Sequence, residues 1–209
     1  MNLKEILNWR YSTKQFDETN PLKDEQVKKV LDLTNLSAAS YGMQPFKMVV
    51  IKNQDLKQKL VASSYGQTNI ADSSHLIVFA ARTDINEDFV ENYIGHIAKQ
   101  RNVSVESQAS FKKMLINYIN NKDSESLFKW ASEQIYIAMG TFLIACASEQ
   151  IDACPIGGFI PKQYDEILDL EKHNLKSVVV AVMGYRHKED KYQHKQKVRK
   201  PLNEMILEL

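Results

Sequence analysis

The chain has 209 residues, 44% of them hydrophobic and 25% charged, and 27 basic against 26 acidic side chains leave a formal net charge of +1. That length fits one domain, and the near-neutral balance excludes a general electrostatic attraction to nucleic acid or anionic lipid. No run of about 18 uncharged apolar residues offers a membrane span, and the N-terminal MNLKEILNWRYSTKQF carries no apolar core followed by a small-residue cleavage site, which reads as cytoplasmic.

Leu3, Ile6 and Leu7 repeat at helical spacing before the polar run RYSTKQFDETNP, so a short opening helix gives way to a loop. A second helix follows, with Asp24 placed to cap it and Val27, Val30, Leu31 and Thr34 on one face. SAASYGMQP then breaks the pattern, and β-branched MVVI predicts a strand at Met48–Ile51. The continuous apolar runs HLIVFAA (His75–Ala81) and SVVVAVMGY (Ser177–Tyr185) read as buried central strands. Between them DFVENYIGHIAKQR, SQASFKKMLINYI and SLFKWASEQIYIAMGTFLIACASEQ have the length and period of three helices. The last is apolar on nearly all sides, which fits either the centre of the molecule or a subunit contact. With no linker, repeat or low-complexity tract, residues 1–209 read as one α+β domain. Residues 187–209 form a C-terminal arm ending in the apolar NEMILEL, long enough to dock on a second subunit.

Two cysteines, Cys146 and Cys154, are too few for a disulfide scaffold, lack zinc-site spacing and read as core thiols. The five histidines never fall at ligand spacings such as HExxH, so no metal is expected. The chain also lacks GxGxxG, GxxxxGK[ST] and a nucleophile elbow, which leaves out a Rossmann site, a P-loop and a hydrolase triad.

Four stretches carry chemistry. In RYSTKQF, Arg10, Ser12 and Lys14 alternate around Tyr11 and project to one side of an extended segment. They offer a guanidinium fork, a hydroxyl and a compact charge to one anionic ligand, or they are ordinary surface residues. In SAASYGMQPF, small residues, then Gly42, Gln44 and Pro45, lead into a strand, a turn that also lets another surface approach. In ACPIGGF, Gly157 and Gly158 expose backbone N–H groups behind Pro155, either as a tight loop or as fixed donors against a flat ring. In KQKVRKP, Lys197 and Arg199 complete a phosphate clamp with Arg10 or belong to a solvated basic tail.

In order and spacing, RYSTKQF, SAASYGMQPF, ADSSHLIVFAA, ACPIGGF and KQKVRKP together resemble the FMN-dependent nitroreductase family across almost the whole chain. The resemblance implies a nitroreductase-like fold, a central mostly antiparallel or mixed sheet surrounded by helices, with the C-terminal arm exchanged in a homodimer. It further implies two FMN sites at the subunit interface. Arg10, Tyr11, Ser12, Lys197 and Arg199 would bind the phosphate and its neighbourhood, and Lys14 would lie at the pyrimidine edge, where fixed positive charge favours the reduced form. Ala38, Ala39, Ser40 and Gln44 would come from the partner chain, while Pro155, Ile156, Gly157 and Gly158 would lie against the ring. Two departures stand out. Gly66 replaces a frequent Asn and Asn69 a cation, leaving Gln67 or Asn69 as edge contacts; Gly157 replaces the Glu of a common CPIEGF variant, which widens the pocket.

The activity so implied is ping-pong transfer of hydride from NAD(P)H through flavin N5 to nitroaromatics, quinones or other flat conjugated acceptors. Lys14, Gly157 and Gly158 would act on the reacting ring, and a helical excursion over residues 102–129 would act as a lid, with Phe111, Tyr118 and Phe128 as candidate ring contacts. Two further readings share these residues: a flavoprotein of the same fold with other chemistry, such as dehalogenation or flavin fragmentation, and a non-catalytic flavin-binding or interaction dimer.

Overall fold

A computed structural model describes residues 2–209. Its centre is a four-stranded sheet of β1 (Phe46–Ile51), β2 (His75–Arg82), β3 (Asp152–Ile156) and β4 (Leu175–Gly184), in the order β1-β2-β4-β3. Every pairing among these four strands is antiparallel. The register sets Val78 opposite Val180 and Cys154 opposite Val182, with an irregularity between Phe79 and Ala80.

The two runs that read as central strands are β2 and β4, and both hold the middle of the sheet. Strand side chains alternate between faces, and here both faces are covered, which is why neither run shows a polar alternation. On one face Ile77, Phe79, Val179, Ala181 and Met183 pack against α2 (Asp24–Asn35), α5 (Glu87–Arg101), α6 (Ala109–Asn120) and α7 (Ser124–Ser148). On the other, Leu76, Val78, Val180 and Val182 meet Leu60 of α3 (Gln54–Ala62), Ile70 of α4 (Asn69–Asp72) and Tyr164 of α8 (Pro161–Ile167). The Phe79 and Phe142 rings meet edge to face at 5.6 Å, and both are fully buried. Truncating either to Ala costs about 3–5 kcal/mol on the scale of large-to-small core changes.

Asp24 is the first residue of α2 and not its cap; the capping position belongs to Lys23. The expected face holds: Val27, Val30 and Thr34 are buried and Leu31 is partly so. In α7 the side chain of Asp123 accepts from the Ser126 N–H at 2.8 Å, and Trp130, Gln134, Ile135, Ala138, Phe142 and Ala145 face the core at helical spacing. Its other side leaves Tyr136, Ile137 and Ile144 exposed, so this helix is both core element and open apolar face. Among the described residues, no helix is long and apolar enough to cross a membrane.

Residues 102–129 begin just past α5 and comprise a short helical turn (Glu106–Gln108), α6 and the start of α7. Leu115 and Ile119 of α6 are buried, and Tyr118 packs edge to face on Trp130 at 5.7 Å and on Tyr41 at 5.2 Å. Phe111 and Phe128 are half-buried against the same core. The arm leaves the body after β4 and exposes Val198, Leu202, Met205, Ile206, Leu207 and Leu209. Cys146 and Cys154 are free and buried.

Candidate active site

The segment after α1 (Leu3–Trp9) is held in place by strand-like contacts rather than by a strand of its own. Ser12 bridges Ala153 of β3 in parallel fashion, and Phe16 bridges Arg186 just past β4. The Asp17 N–H donates to the Tyr185 carbonyl at 2.9 Å, and the His187 N–H to the Gln15 carbonyl at 2.9 Å. Residues 12–17 therefore run along β3 and the root of the arm, and this brings the N-terminal and C-terminal cations together.

Arg10, Tyr11, Ser12, Lys14, Lys197 and Arg199 line one cavity of about 410 Å³. Lys197 Nζ donates to the Arg10 carbonyl oxygen. Burial first, and then Arg199, lowers the Arg10 pKa from its ordinary value; burial first, and then Arg10 and Arg199, does the same for Lys197. A cleft that lowers Arg10 and Lys197 in this way is one where an anion would relieve the repulsion between the cations. Ser12 adds a hydroxyl to the same wall.

Lys14 Nζ lies 3.7 Å from Cys154 Sγ, next to β3. The sequence reading of ACPIGGF as a loop needs correcting here. Cys154, Pro155 and Ile156 belong to β3 and pair with Val182, Ala181 and Val180, and the loop begins at Gly157. Pro155 is tolerated because β3 is an edge strand, where one missing N–H donor does not break a ladder on both sides. Neither glycine takes a left-handed φ. A Cβ at Gly157 would meet nothing within 4 Å, and one at Gly158 would make ordinary contacts with Gln67 and Tyr65. Nothing inside this chain requires glycine at 157.

Gln67 reaches the same loop, with Nε2 donating to the Gly158 carbonyl at 2.7 Å and to the Ser64 carbonyl at 3.0 Å. Asn69, two residues on, is 5% exposed and its Oδ1 is buried without a hydrogen-bond partner. An orphaned acceptor of this kind costs about 1–3 kcal/mol unless something donates to it. The turn that carries Asn69 is braced from below by buried Lys57, whose Nζ donates to the Ala71 carbonyl at 3.0 Å and also to that of Ser73.

Ala38, Ala39, Ser40 and Gln44 do not join this cluster within one chain. The Ser40 N–H donates to Gln134 Oε1 of α7 at 2.7 Å, and Gln44 Nε2 turns back onto the Asn35 carbonyl at 3.0 Å. Gln44 lines a separate and larger cleft of about 880 Å³ with Asn35, Arg82, Tyr93 and His96. That cleft also carries Lys47, Arg82 and Arg101, but Asp84, paired with Arg82, and Asp88 share its lining, whereas among the described residues no acid lines the cavity around Arg10, so volume alone does not mark the site.

Four residues escaped the sequence pattern: three that organise the cluster, and Gln134, which holds the Ser40 turn apart from it. Asp190, 0% exposed, accepts from the Lys14 N–H at 2.8 Å, the Gln15 N–H at 3.2 Å and the Tyr11 hydroxyl at 3.0 Å. Burial alone would raise its pKa, but these donors and the Tyr192 N–H outweigh it and hold it below the ordinary carboxylate value. Burial, together with the hydrogen bond to Asp190, raises the Tyr11 phenol far above its own. Asp152, also buried, accepts from the Arg186 N–H and Nε, each at 2.9 Å, while the Arg186 guanidinium stacks on Trp9 and Tyr11. Gln134 is the fourth. Its signal was an amide set into the apolar face of α7; Asp152 was an acid at the mouth of an apolar strand, and Asp190 and Arg186 lay inside a charge run that reads as solvated.

The nitroreductase family model matches residues 7–185. Over 197 residues, 90% of this chain and 89% of its relative, the sequence is 34% identical to a protein named "Putative NAD(P)H nitroreductase" from Staphylococcus saprophyticus. The fold superposes with a TM-score of 0.89 on a "putative nitroreductase in complex with FMN" from Exiguobacterium sibiricum 255-15, at 20% identity and covering 100% of this chain and 98% of that one. It does so equally, at 0.89 and 20% identity over 100% and 97%, on a "putative NAD(P)H:FMN oxidoreductase" from Staphylococcus epidermidis. With its sheet order, its cation cluster and this match over most of its length, the chain belongs to the nitroreductase family.

Proposed function

We propose that this protein is an FMN-dependent oxidoreductase that uses NAD(P)H to reduce nitroaromatics, quinones or similar flat conjugated acceptors. One observation carries the reading: Arg10, Ser12, Lys14, Lys197 and Arg199 line one cavity, and Lys14 reaches Cys154 of β3, the strand that runs on to Gly157. Charge is concentrated in the cavity, and open backbone lies past the strand. A flat ring with a phosphate tail has this same division.

The residues present fit the group. The three cations and Ser12 supply what a phosphate dianion needs, and the absence of a side chain at Gly157 leaves room for a plane. Bound FMN supplies the redox chemistry, accepting hydride from the nicotinamide and releasing it to the acceptor. The chain does the rest. Arg10, Lys197 and Arg199 anchor the tail. Lys14 holds a positive charge at the ring edge, at no reorganisation cost when negative charge develops there. The backbone at Gly157 and Gly158 bounds the ring, and Gln67 fixes that loop through the Gly158 carbonyl.

We further propose a homodimer in which Ala38, Ala39, Ser40 and Gln44 complete the site of the other copy. Their separation from Arg10 within one chain supports this, as do the exposed Tyr136, Ile137 and Ile144 of α7 and the apolar arm. The outer edge of β1 is unpaired, a place where an exchanged arm can add.

The test is the absorbance spectrum of the purified protein, then anaerobic titration with NADH and NADPH and reoxidation by a quinone and a nitro compound. Stoichiometric flavin, bleached by nicotinamide and restored by acceptor, is the expected result. A colourless protein that takes up no added FMN removes the reading.

A further inference from the structure

We infer that Asp190 is a positioning residue for cofactor binding, a buried carboxylate that holds the N-terminal and C-terminal halves of the cation cluster in register. The inference rests on the flavin reading for its consequence but not for its geometry. Asp190 does not line the cavity; it ties together the two segments that do. Its Oδ2 takes the Lys14 and Gln15 N–H groups and the Tyr11 hydroxyl, and its Oδ1 takes the Tyr192 N–H at 2.9 Å. Tyr192 sits in the short helical turn Lys191–His194, from which the chain runs on to Lys197 and Arg199.

Two physical facts make one carboxylate decisive. The first is that Arg10, Lys197 and Arg199 repel one another, so their assembly before any anion arrives needs a restraint that is not the anion. The second is that four donors, each in a part-buried hydrogen bond, converge on one side chain, and removing it takes that partner from all of them together. The backbone bonds between His187 and Gln15, and between Asp190 and His187, run alongside but do not reach Lys14 or Tyr192. Loss of Asp190 would therefore free the Lys14 backbone and the turn at Tyr192 at once, and leave the sheet and the root of the arm, still tied through Asp17–Tyr185 and His187–Gln15, in place.

The carboxamide separates the two halves. In Asp190→Asn one oxygen can still accept from Lys14 and Gln15, but the NH2 group that replaces the other oxygen meets the Tyr192 N–H, donor against donor. The experiment measures FMN dissociation by fluorescence for wild type, Asp190→Ala, Asp190→Asn, Lys197→Ala and the Asp190→Ala/Lys197→Ala double variant. Amide hydrogen exchange is followed on the same proteins without FMN. Asp190→Ala should raise the FMN Kd about tenfold or more and speed exchange at Lys14, Gln15 and Tyr192. Asp190→Asn should speed it mainly at Tyr192, with an intermediate Kd. In the double variant the two effects should be less than multiplicative, because Asp190 acts partly through Lys197.

A folded Asp190→Ala protein with FMN Kd within about twofold of wild type would overturn the inference, whatever its melting temperature, and so would unchanged exchange in both segments. If Asp190→Ala does not fold, the split exchange pattern of Asp190→Asn decides. If wild type binds no FMN, the flavin reading has failed separately, and the exchange data still decide whether Asp190 joins the two segments.

Discussion

Lys14 Nζ lies 3.7 Å from Cys154 Sγ, which places a lysine ammonium against a buried thiol where the loop after α1 meets the edge strand β3. Burial pushes the Cys154 thiol above its ordinary value, and Lys14 and Arg10 only partly offset this, so the thiol stays neutral at pH 7. Lys14 is therefore not neutralised by its nearest partner. Its charge remains available to whatever occupies the cleft.

Lys14→Ala should accordingly lower the midpoint potential of bound FMN. One unit charge several ångströms from developing negative charge, at an effective dielectric constant near 20, contributes about 1–3 kcal/mol, or roughly 20–60 mV for a two-electron couple. Spectroelectrochemistry of the FMN-loaded variant measures it. An unchanged potential would take Lys14 out of the reaction and leave it a binding residue.

Gly157 separates reasons internal to the chain from those outside it. Its φ is not left-handed and a Cβ there touches nothing within 4 Å. Gly157→Ala should leave the FMN-free melting temperature unchanged or slightly raised, since it only removes freedom from the unfolded chain. The same methyl would press on a ring packed against this backbone and raise the FMN Kd about tenfold, as overpacking by about 1–3 kcal/mol does. A flavin affinity equal to wild type would mean that the ring does not lie on this loop.

Much of this arrangement was legible in the sequence because strong local patterns carried it. Strands β2 and β4 were visible as unbroken apolar runs, since both faces of the sheet are covered. The long period of α7 survived its dual role as core and open face. β3 was not visible: five residues with a proline and two following glycines look like a turn, and only pairing to β4 makes them a strand. α3 and α8 were likewise passed over, being short helices whose apolar residues match only the second core face. The cations at 10, 14, 197 and 199 were legible as types, and the cavity brings them together. Asp190 was not, because its meaning lies in three donors from the far end of the chain, at Tyr11, Lys14 and Gln15, with sequence separations of 179, 176 and 175.

The turn before β1 is strained, and its cost can be measured. Tyr41 and Gln44 have φ of 57° and 45°, and Gly42 between them has φ of 73°. A Cβ at Gly42 would sit 2.6 Å from Tyr93 Oη, the hydroxyl that donates to the Tyr41 carbonyl at 2.6 Å. Gly42→Ala should therefore cost about 1 kcal/mol for the left-handed backbone and about 1 kcal/mol for the displaced hydrogen bond, lowering the melting temperature by roughly 4–8 °C. Tyr93→Phe removes the clashing oxygen, so the double variant should lose less than the sum of the single changes. Strict additivity would show that Tyr93 is not what restrains this turn.

His75 should set the acid limb of stability. It is 3% exposed, its Nδ1 lies 2.9 Å from Ser74 Oγ, and burial, reinforced by Lys52 and Lys57 and partly opposed by Asp24, lowers its pKa from 6.5. Between the lowered value and 6.5 the unfolded chain holds a proton that the folded chain does not. Stability therefore rises with pH across that window and is lost as pH falls through it, while above 6.5 the ring is neutral in both states and contributes no slope. The alkaline side has the opposite sign. Burial raises Tyr164 from 10.0 to about 12, against a hydrogen bond to Ser64 that favours ionisation, so its contribution is complete below pH 10 and lost as pH climbs beyond. Melting temperature measured from pH 5 to 8 should rise up to about 6.5 and then level, and His75→Gln, which removes the titrating group, should flatten the acid limb even if it lowers the whole curve. A variant that keeps the wild-type slope would assign that limb to carboxylates, whose window lies lower.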